Sequence, residues 1–307
     1  MLKELTPEMK SQLVPYRNAQ IEMSKSTREA DWLSAKEAAL KILKLSNVTL
    51  DDSHSVVYAE NPVKAATLGN FLSGERNSLF QCPSYRGTSA RNNFFVEVCK
   101  VKIDDTNEDK RIVLDNFINS CGGAYFSTKV TVIYDRPSVL KISTTNDIGI
   151  LHCEDGPAIA WGRDSNGNYS HDAHGALALY YWEGVVVPAH WIENKPKTNE
   201  DMAKLAAEVL ASTNQEQLRA GCEILGWVPV LKSLGMKVLD EDPNPQFGQL
   251  VSVDLPDAPN SKFILATCGT GRQIAVPADP ESSTAIEAGA RSYGLPVEIY
   301  RRLKVRT

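Results

Sequence analysis

The sequence predicts an α+β protein, and three observations support that class. Short aromatic and aliphatic runs that suit strands fill the segment from Ile148 to Trp191. Helix-capping patterns flank this segment on both sides, and three more apolar runs near the carboxyl end precede a further capped helix. The predicted order is an N-terminal helical region (1–50), an α/β segment (51–145), a central antiparallel β-meander (146–196), and a C-terminal helix pair followed by a three-strand meander and a helix (197–307).

Capping residues predict the first helices. Thr6-Pro7-Glu8 supplies an N-cap, a proline at the first helical position and an acid near the helix dipole. Apolar residues at helical spacing predict a second helix from Thr27 to Lys44. A strand at Ser55–Ala59 then precedes a helix at Pro62–Leu72, with Asn61 as its cap.

The rest of the α/β segment alternates polar and apolar stretches. We expect a surface loop at Asn77–Asn93, because a proline and a glycine interrupt it. Phe94–Ile103 alternates as a half-buried strand does, with a helix as the alternative, and the charged stretch Asp104–Arg111 is expected to be exposed. A helix at Val113–Ser120 should end at Cys121-Gly122-Gly123, with glycine as a left-handed C-cap.

Two predicted strands, Val130–Tyr134 and Val139–Ile142, lead into the central meander. Turn-forming residues fill Gly162–Gly175, Glu183-Gly184 suits a tight reversal, and Pro188 ends the last strand because it has no backbone donor. The meander strands are predicted at Ala158–Trp161, Ala176–Trp182 and Val185–Val187.

Two capping patterns predict the C-terminal helix pair. Thr198 with Asp201 forms a capping box for a helix through Leu210. Asn214 with Gln217 repeats the pattern for a second helix, Gln215–Leu225.

The last part of the chain predicts a meander covered by one helix. An acidic turn at Asp240–Pro243 precedes it, and Thr284 with Glu287 caps the final helix, Ala285–Tyr293. The strands are predicted at Gly248–Val253, Lys262–Thr267 and Gln273–Val276.

Charge and composition limit the classes of protein and partner. The formal net charge is -5, and 33 basic and 38 acidic residues are mixed along the chain, so the charge does not support a nucleic-acid partner. No apolar run approaches the ~20 residues of a membrane span, and the amino terminus lacks the apolar segment of a signal peptide. The basic tail Arg301–Arg306 is interpreted as a solvated end. We expect a soluble, cytoplasmic protein with no membrane partner.

The six cysteines are scattered and form no C-x-x-C pair, which argues against a zinc ribbon or a thioredoxin site. Most lie in apolar segments, where a reduced cysteine acts as a small hydrophobic residue. We expect them all to be reduced, as in a reducing compartment. They are Cys82, Cys99, Cys121, Cys153, Cys222 and Cys268.

The central segment carries a resemblance to known proteins. The stretch Leu151–Ala158, reading L-H-C-E-D-G-P-A, and the following Leu179–Gly184 and Val187-Pro188 resemble the H-x-E-D-G-P-A and Y-W-x-G units of a bacterial protein family of unknown function. The units are also similar to MORN-like repeats of phage and large-virus proteins, where they recur in tandem, whereas this chain holds one. Similarity to the bacterial family extends over most of residues 50–300. The resemblance implies an architecture and a bacterial or phage source, and it implies no particular activity.

Four of the five histidines lie in the central segment, and they allow three interpretations. His152, His171 and His174 could bind zinc or another transition metal, with Glu154 or Asp155 as a catalytic base. Alternatively, the ring of His152 hydrogen-bonds the backbone at a structural corner, or the segment forms a binding surface. The corner is favoured, because tandem recurrence in the similar proteins suits a hairpin better than a catalytic centre.

Two other motifs are interpreted as structural. Gly269-Thr270-Gly271-Arg272 lacks the Gly-Lys-Ser/Thr ending of a phosphate-binding loop and a following helix, so it predicts a hairpin turn in which Arg272 could contact an anion. Asp240-Glu241-Asp242 lacks the alternating ligands and the glycine of a calcium loop, and it is interpreted as solvated charge.

The favoured function is a non-catalytic interaction protein that binds a protein partner through the aromatic residues of the central meander and needs no cofactor. Aromatic side chains anchor many interfaces, although the same residues could instead form the core. The rival is a metal-dependent hydrolase or nuclease that uses the histidines and acids named above. The candidate contact residues are Trp161, Tyr180, Tyr181, Trp182, Trp191 and Arg272.

Overall fold

The structure is a computed structural model, and it describes residues 4–143, 149–194, 196–255, 258–267 and 273–303. The chain forms two compact units. The first unit comprises Met1–Thr144 and Pro157–Leu179, and the second comprises Thr145–Gly156 and Tyr180–Thr307. Helices and mainly antiparallel sheets occur in both, which confirms the predicted α+β class. The segment 146–196 contributes residues to both units.

The first unit is built around a four-stranded sheet in the order β1-β4-β3-β2. β1 and β4 are parallel, whereas the other neighbours are antiparallel. The carboxyl ends of β1 and β4 therefore lie side by side at one edge of the sheet. The strands are β1 (Ser55–Ala59), β2 (Leu79–Gln81), β3 (Gly123–Phe126) and β4 (Val130–Tyr134).

Helices pack on both faces of this sheet. Phe117, Ile118 and Ile133 belong to a core that also contains buried alanines of the second helix, and Tyr125 and Val132 form a separate core against the third helix. Neighbouring residues of β4 point to opposite faces, so both cores share that strand. The helices are α1 (Pro7–Ser24), α2 (Trp32–Leu45), α3 (Pro62–Ser73), α4 (Cys82–Asn93) and α5 (Asp105–Ser120).

The predicted cap residues of α1 and α3 are confirmed. The Thr6 side chain accepts from the backbone of Met9, and the Asn61 side chain accepts from that of Lys64. The second helix begins five residues later than predicted, because Asp31 caps it by accepting from the backbone of Ser34.

The loop predicted at Asn77–Asn93 is wrong, because the segment forms β2 and α4. Pro83 lies in the first turn of α4, where a proline removes no hydrogen bond from the helix. The strand alternative for Phe94–Ile103 is also wrong: Phe94–Val98 continues α4 as a π-helical turn.

The charged stretch Asp104–Arg111 contains the cap and first half of α5. Asp104 accepts from the backbone of Asn107, so the helix starts well before the predicted Val113. The predicted glycine C-cap is wrong, because Cys121 follows the helix in an extended conformation. Gly122 instead allows a close approach, since a Cβ there would collide with the carbonyl oxygen of Asp135.

Short strands complete the first unit. β5 pairs with β8 in antiparallel fashion, and β8 pairs with the first half of β9, Leu177–Leu179. The single strand predicted at Val139–Ile142 is thus two short strands. These elements are β5 (Val139–Leu140), β6 (Ile142–Ser143), β8 (Ile159–Trp161) and β9 (Leu177–Trp182), and β7 (Ile150–Leu151) lies in the second unit.

In the second unit, the remainder of β9 forms a hairpin with β10 (Val185–Val187). The predicted reversal at Glu183-Gly184 is confirmed, and both residues have positive φ, 44° and 83°. The helices that follow are α6 (Ala189–Glu193), α7 (Asn199–Leu210), α8 (Gln215–Leu225) and α9 (Trp227–Ser233). The capping box of Thr198 and Asp201 is present in full.

The C-terminal sheet is an antiparallel meander in the order β11-β12-β13-β14. The three predicted strands are present. They are joined by an edge strand, β11, that the sequence did not predict. The predicted acidic turn is wrong for Asp240 and Glu241, because these two residues end β11. The elements are β11 (Lys237–Glu241), β12 (Gln249–Leu255), β13 (Ala258–Thr267), β14 (Gln273–Pro277), α10 (Ala285–Ser292) and α11 (Val297–Tyr300).

Both faces of this sheet are covered. Leu231 of α9 packs with Val251 and Phe263 on one face, and residues of α10 pack with Leu250 and Ile264 on the other. Among the described residues, no helix is both long and apolar enough to span a bilayer.

Candidate functional site

A polar cleft in the first unit lies at the carboxyl ends of β1 and β4, and we call it the strand-end cleft. Glu60 directly follows β1 and Asp135 directly follows β4, so the parallel pairing brings the two acids to the same edge. Crevices at the carboxyl ends of parallel strands are frequent ligand sites. The cleft has a volume of about 410 Å³. Its lining is Glu29, Trp32, Tyr58, Ala59, Glu60, Asp135, Gly162, Arg163 and His174.

Asp135 and Arg163 form a satisfied ion pair in the cleft wall. Arg163 Nε donates to Asp135 Oδ2 at 3.0 Å, and its Nη2 donates to the carbonyl of Thr27 at 2.7 Å. Asp135 Oδ1 accepts from the backbone of Ala30 at 2.8 Å and of Arg136 at 2.7 Å. Because both side chains are largely buried and fully bonded, the pair supports the cleft and leaves little charge for a ligand.

Glu60 and His174 form a second pair at the rim. His174 Nδ1 lies 2.7 Å from Glu60 Oε1, and Lys64 Nζ lies 2.9 Å from the same oxygen. Partial burial raises the pKa of Glu60, but the hydrogen bonds from Lys64, from the backbone and from His174 outweigh it, so the pKa is below its ordinary value of 4.5. The His174 side chain is 82% exposed. Such a solvated pair contributes only ~0–1 kcal/mol and holds its geometry weakly.

The backbone brings His174 to Glu60 through the neighbouring Asn61. Asn61 caps α3 with its Oδ1 and donates from Nδ2 to the carbonyl of Gly175 at 2.7 Å. Gly175 has a φ of 73°, and a Cβ there would come within 2.8 Å of the Glu60 side chain. Glycine is therefore required for this loop to close over the end of β1.

Two aromatic rings and an unpaired acid complete the cleft. Trp32 and Tyr58 make an edge-to-face contact with centroids 5.1 Å apart, and Tyr58 is 43% exposed. Glu29 is exposed and makes no hydrogen bond or ion pair with any residue that the structure describes. The cleft thus presents an aromatic surface beside a free carboxylate.

His152, in the second unit, lies at a structural corner. The backbone N–H of Glu183 donates to His152 Nδ1 at 3.1 Å, and the ring packs edge-to-face on Trp182 with centroids 4.8 Å apart. Glu154 Oε1 lies 3.8 Å from His152 Nε2, and both Glu154 and Asp155 are exposed. The ring therefore supports the β9–β10 turn, in which Glu183 has a positive φ.

Three of the five candidate aromatic residues are buried and use their polar atoms internally. Trp161 Nε1 donates to the carbonyl of Asp135, Tyr180 hydroxyl bonds Glu193, and Trp191 Nε1 donates to Glu208. Tyr181 and Trp182 are half-buried, and Trp182 Nε1 donates to Glu223 at 2.9 Å.

The remaining histidines of the candidate metal set have separate partners. His171 Nδ1 lies 2.9 Å from the hydroxyl of Tyr169, whereas His174 pairs with Glu60. Within the described ranges, no three His, Cys, Asp or Glu side chains are grouped as metal ligands would be. Arg272 and the turn predicted around it lie outside the described residues.

A second cleft, in the second unit, has a volume of about 600 Å³ and is bordered by α6 and α7. His190 Nε2 lies 2.8 Å from Glu208 Oε1, which also accepts from Trp191. The hydrogen bond from Trp191 lowers the pKa of Glu208, and the bond from His190 adds to this effect against partial burial. Four acids and two lysines are among the described residues that line this cleft, so negative charge is in excess there.

Sequence reasoning missed most of the strand-end cleft, including Glu29, Trp32, Tyr58 and Glu60. One usable signal was present, because Glu60 and Asp135 each follow a predicted strand and each precede an X-Pro dipeptide. The contributions of Glu29 and Trp32 carry no such signal, since they depend on how α2 packs against the sheet.

Comparison with known proteins gave no match to a family model, a curated protein or a solved structure.

Proposed function

We propose that the protein is a non-catalytic interaction protein, and that its strand-end cleft binds a lysine or arginine side chain of a protein partner. The observation that supports this proposal is the exposed face of Tyr58 beside Trp32 and the unpaired Glu29, within one cleft. A cation over an aromatic ring gains ~0.5–2 kcal/mol, and a nearby carboxylate adds to that attraction.

The charge of the lining favours a cation. Among the described residues, three carboxylates and one guanidinium border the cleft, and Arg163 is already bonded to Asp135. Glu29 therefore remains as negative charge that no described residue pairs with, and Glu60 is partly neutralised by Lys64. An anionic ligand would meet repulsion at this surface.

A binding role suits the cleft better than a catalytic one. A catalytic base needs a held geometry and a site that excludes water. His174 is mostly exposed, and among the described residues that line the cleft there is no other imidazole and no Ser, Thr or Cys.

The proposal keeps the predicted class of function and changes the predicted surface. Trp161 is buried in the first unit, and Tyr180 and Trp191 are buried in the second. A partner would not reach these side chains unless the unit that contains them unfolded. Tyr58 and Glu29 are accessible.

The test is an NMR titration of the full chain with a short glycine-flanked peptide that contains one lysine. The norleucine peptide is its uncharged counterpart. We expect the lysine peptide to shift the Trp32 indole resonance, with weaker binding at higher salt. Glu29→Gln and Tyr58→Ala should each reduce the affinity several-fold.

The matched control is Glu37→Gln, which removes an exposed acid of α2 outside the cleft. Equal shifts with the norleucine peptide, or no shift at Trp32 at millimolar lysine peptide, would reject the proposal.

The rival function, a metal-dependent hydrolase or nuclease, is tested by elemental analysis of protein purified without a His tag. About one equivalent of zinc, manganese or nickel per chain, lost in His152→Ala, His171→Ala and His174→Ala alike, would favour that rival.

A further inference from the structure

An apolar pocket lies in the first unit between α1, α4 and the π-helical turn Phe94–Val98, and its described lining shares no residue with that of the strand-end cleft. Its volume is about 520 Å³, within the ~300–1,000 Å³ range of small-molecule sites. Its lining is Leu5, Leu13, Tyr16, Arg17, Gln20, Ile21, Gly87, Ala90, Arg91, Phe94 and Phe95.

The apolar part of the lining is incompletely buried by the chain itself. Leu13 and Ile21 are eight residues apart on α1, hence on one face, and they are 44% and 37% exposed. Phe95, which lines the pocket from the π-helical turn, is 39% exposed. These side chains would lose contact with water if an apolar ligand lay between the helices.

Two arginines supply positive charge at this apolar surface. Arg17 lies on α1 and Arg91 on α4, and both are exposed. Neither side chain makes a hydrogen bond or ion pair with any residue in the described part of the chain. Arg111, by contrast, is bonded to Glu97, Glu108 and Asp115. The pocket therefore combines an apolar body with two guanidinium groups that no described residue pairs with.

The floor of the pocket is held in place by polar contacts. Phe94 is buried and packs edge-to-face on Tyr16, with centroids 5.5 Å apart, and the Tyr16 hydroxyl donates to Glu97 at 3.1 Å. Burial, followed by the charge of Glu97, raises the pKa of Tyr16 to about 12, so this hydroxyl stays neutral. π-Helical turns such as Phe94–Val98 are frequently found at functional sites.

We propose that this pocket binds a fatty acid, with the hydrocarbon chain between α1 and α4 and the carboxylate paired with Arg17 and Arg91. Guanidinium groups bind carboxylates through charge-assisted hydrogen bonds. The unpaired arginines distinguish this ligand from a neutral lipid, which would leave both charges unused. An acidic amphipathic helix of another protein is the competing occupant.

The first measurement is calorimetric titration of the full chain with saturated fatty acids of increasing length, below their micelle concentrations. We expect one site per chain, and affinity should rise about fourfold per added methylene until the pocket is filled. Dodecanol should bind more weakly than laurate, since it lacks the charge. No binding at any chain length would overturn the proposal and favour the helix occupant.

The second measurement uses variants chosen to preserve the fold. Arg17→Gln and Arg91→Gln should each weaken laurate about tenfold and leave dodecanol unchanged, and Arg76→Gln is the matched control on the exposed surface of the same unit. Gly87→Leu should abolish binding of both ligands by filling the pocket. A Cβ at Gly87 meets no atom within 4 Å, so the protein should melt as the parent does. Unchanged binding in Gly87→Leu would place the ligand elsewhere and reject the site.

Discussion

At the scale of single residues, Asp135 joins several separate parts of the first unit. Its carboxylate accepts from Ala30, Arg136 and Arg163, and its carbonyl accepts from Trp161 Nε1. The segment before α2, the end of β4 and the strand β8 are thereby tied to one residue. The cleft keeps its shape because Asp135 is buried and its oxygens are hydrogen-bonded.

We predict that Asp135→Ala destabilises the protein by ~3–5 kcal/mol. The substitution leaves Arg163 buried without its counter-ion and removes the acceptor of the Ala30 backbone. Urea denaturation measures the loss, and Glu29→Gln in the same cleft serves as the control with little change. A loss below ~1 kcal/mol would show that water replaces the carboxylate easily.

His152 carries a second prediction. His152→Ala should lower stability by ~1–3 kcal/mol, because the Glu183 N–H loses its acceptor and Trp182 loses a ring contact. His171→Ala is the comparison: its ring is exposed and bonds only to Tyr169 among the contacts observed, so melting should barely change. Equal losses of stability in the two variants would contradict the role of His152 in supporting the β9–β10 turn.

The lowered pKa of Glu60 makes the stability of the folded protein depend on pH. Its pKa is lowered in the folded state, so its stabilising contribution is present above its ordinary value of 4.5 and is lost as the pH falls through the folded pKa. Glu60→Gln should therefore lose less stability than the parent between about pH 5 and pH 3. Chemical denaturation at several pH values checks this difference, and parallel curves would contradict it.

At the scale of secondary-structure elements, local signals decided which ones could be predicted. α3 and α7 each begin at a residue whose side chain caps the helix, so their sequences specify where they start. α7 also has an apolar face, which includes the buried Leu205 and Val209. The sequence of α4 is polar and contains both Pro83 and Gly87, so its helical state depends on packing against α5. β11 was missed because it is an exposed edge strand without apolar alternation.

The sites could be anticipated only in part, for a related reason. Acids at strand ends are visible in a sequence, but the cleft also needs Trp32 from a helix and His174 from a distant loop. Gly156 shows a different difficulty. The pair Asp155-Gly156 is typical of a reversal, and Gly156→Val would be costly if that glycine needed a positive φ. Gly156 is not among the residues with positive φ, whereas Gly162 and Gly184 are.

The capping box of α7 gives the element-scale prediction. Thr198→Ala should cost ~1 kcal/mol, and Asp201→Ala should cost less. The two losses should not add in the double variant, because each side chain bonds the backbone of the other residue. At α10, Thr284 accepts from Glu287, but Glu287 accepts from Ser283, so the corresponding pair should be closer to additive. Thermal melts of the single and double variants at α7 and at α10 show whether the losses of stability add.

At the scale of the whole molecule, the thiols report on the folded state. Cys82, Cys99, Cys121, Cys153 and Cys222 are buried and unpaired. Burial raises the pKa of Cys222 to about 11, so its thiol stays protonated at neutral pH and reacts slowly. We predict slow labelling of the native chain and six reactive thiols after denaturation without reductant. Recovery of four or fewer would indicate a disulfide.

The division into two units also has a consequence for synthesis on the ribosome. The first unit is not one continuous stretch: its chain leaves at Thr144 and returns as Pro157–Leu179. Asp135 is therefore translated a few seconds before its partner Arg163. We expect the first unit to complete its folding only after Arg163 has been synthesised, and a fragment ending at Thr144 would lack the ion pair at the end of β4.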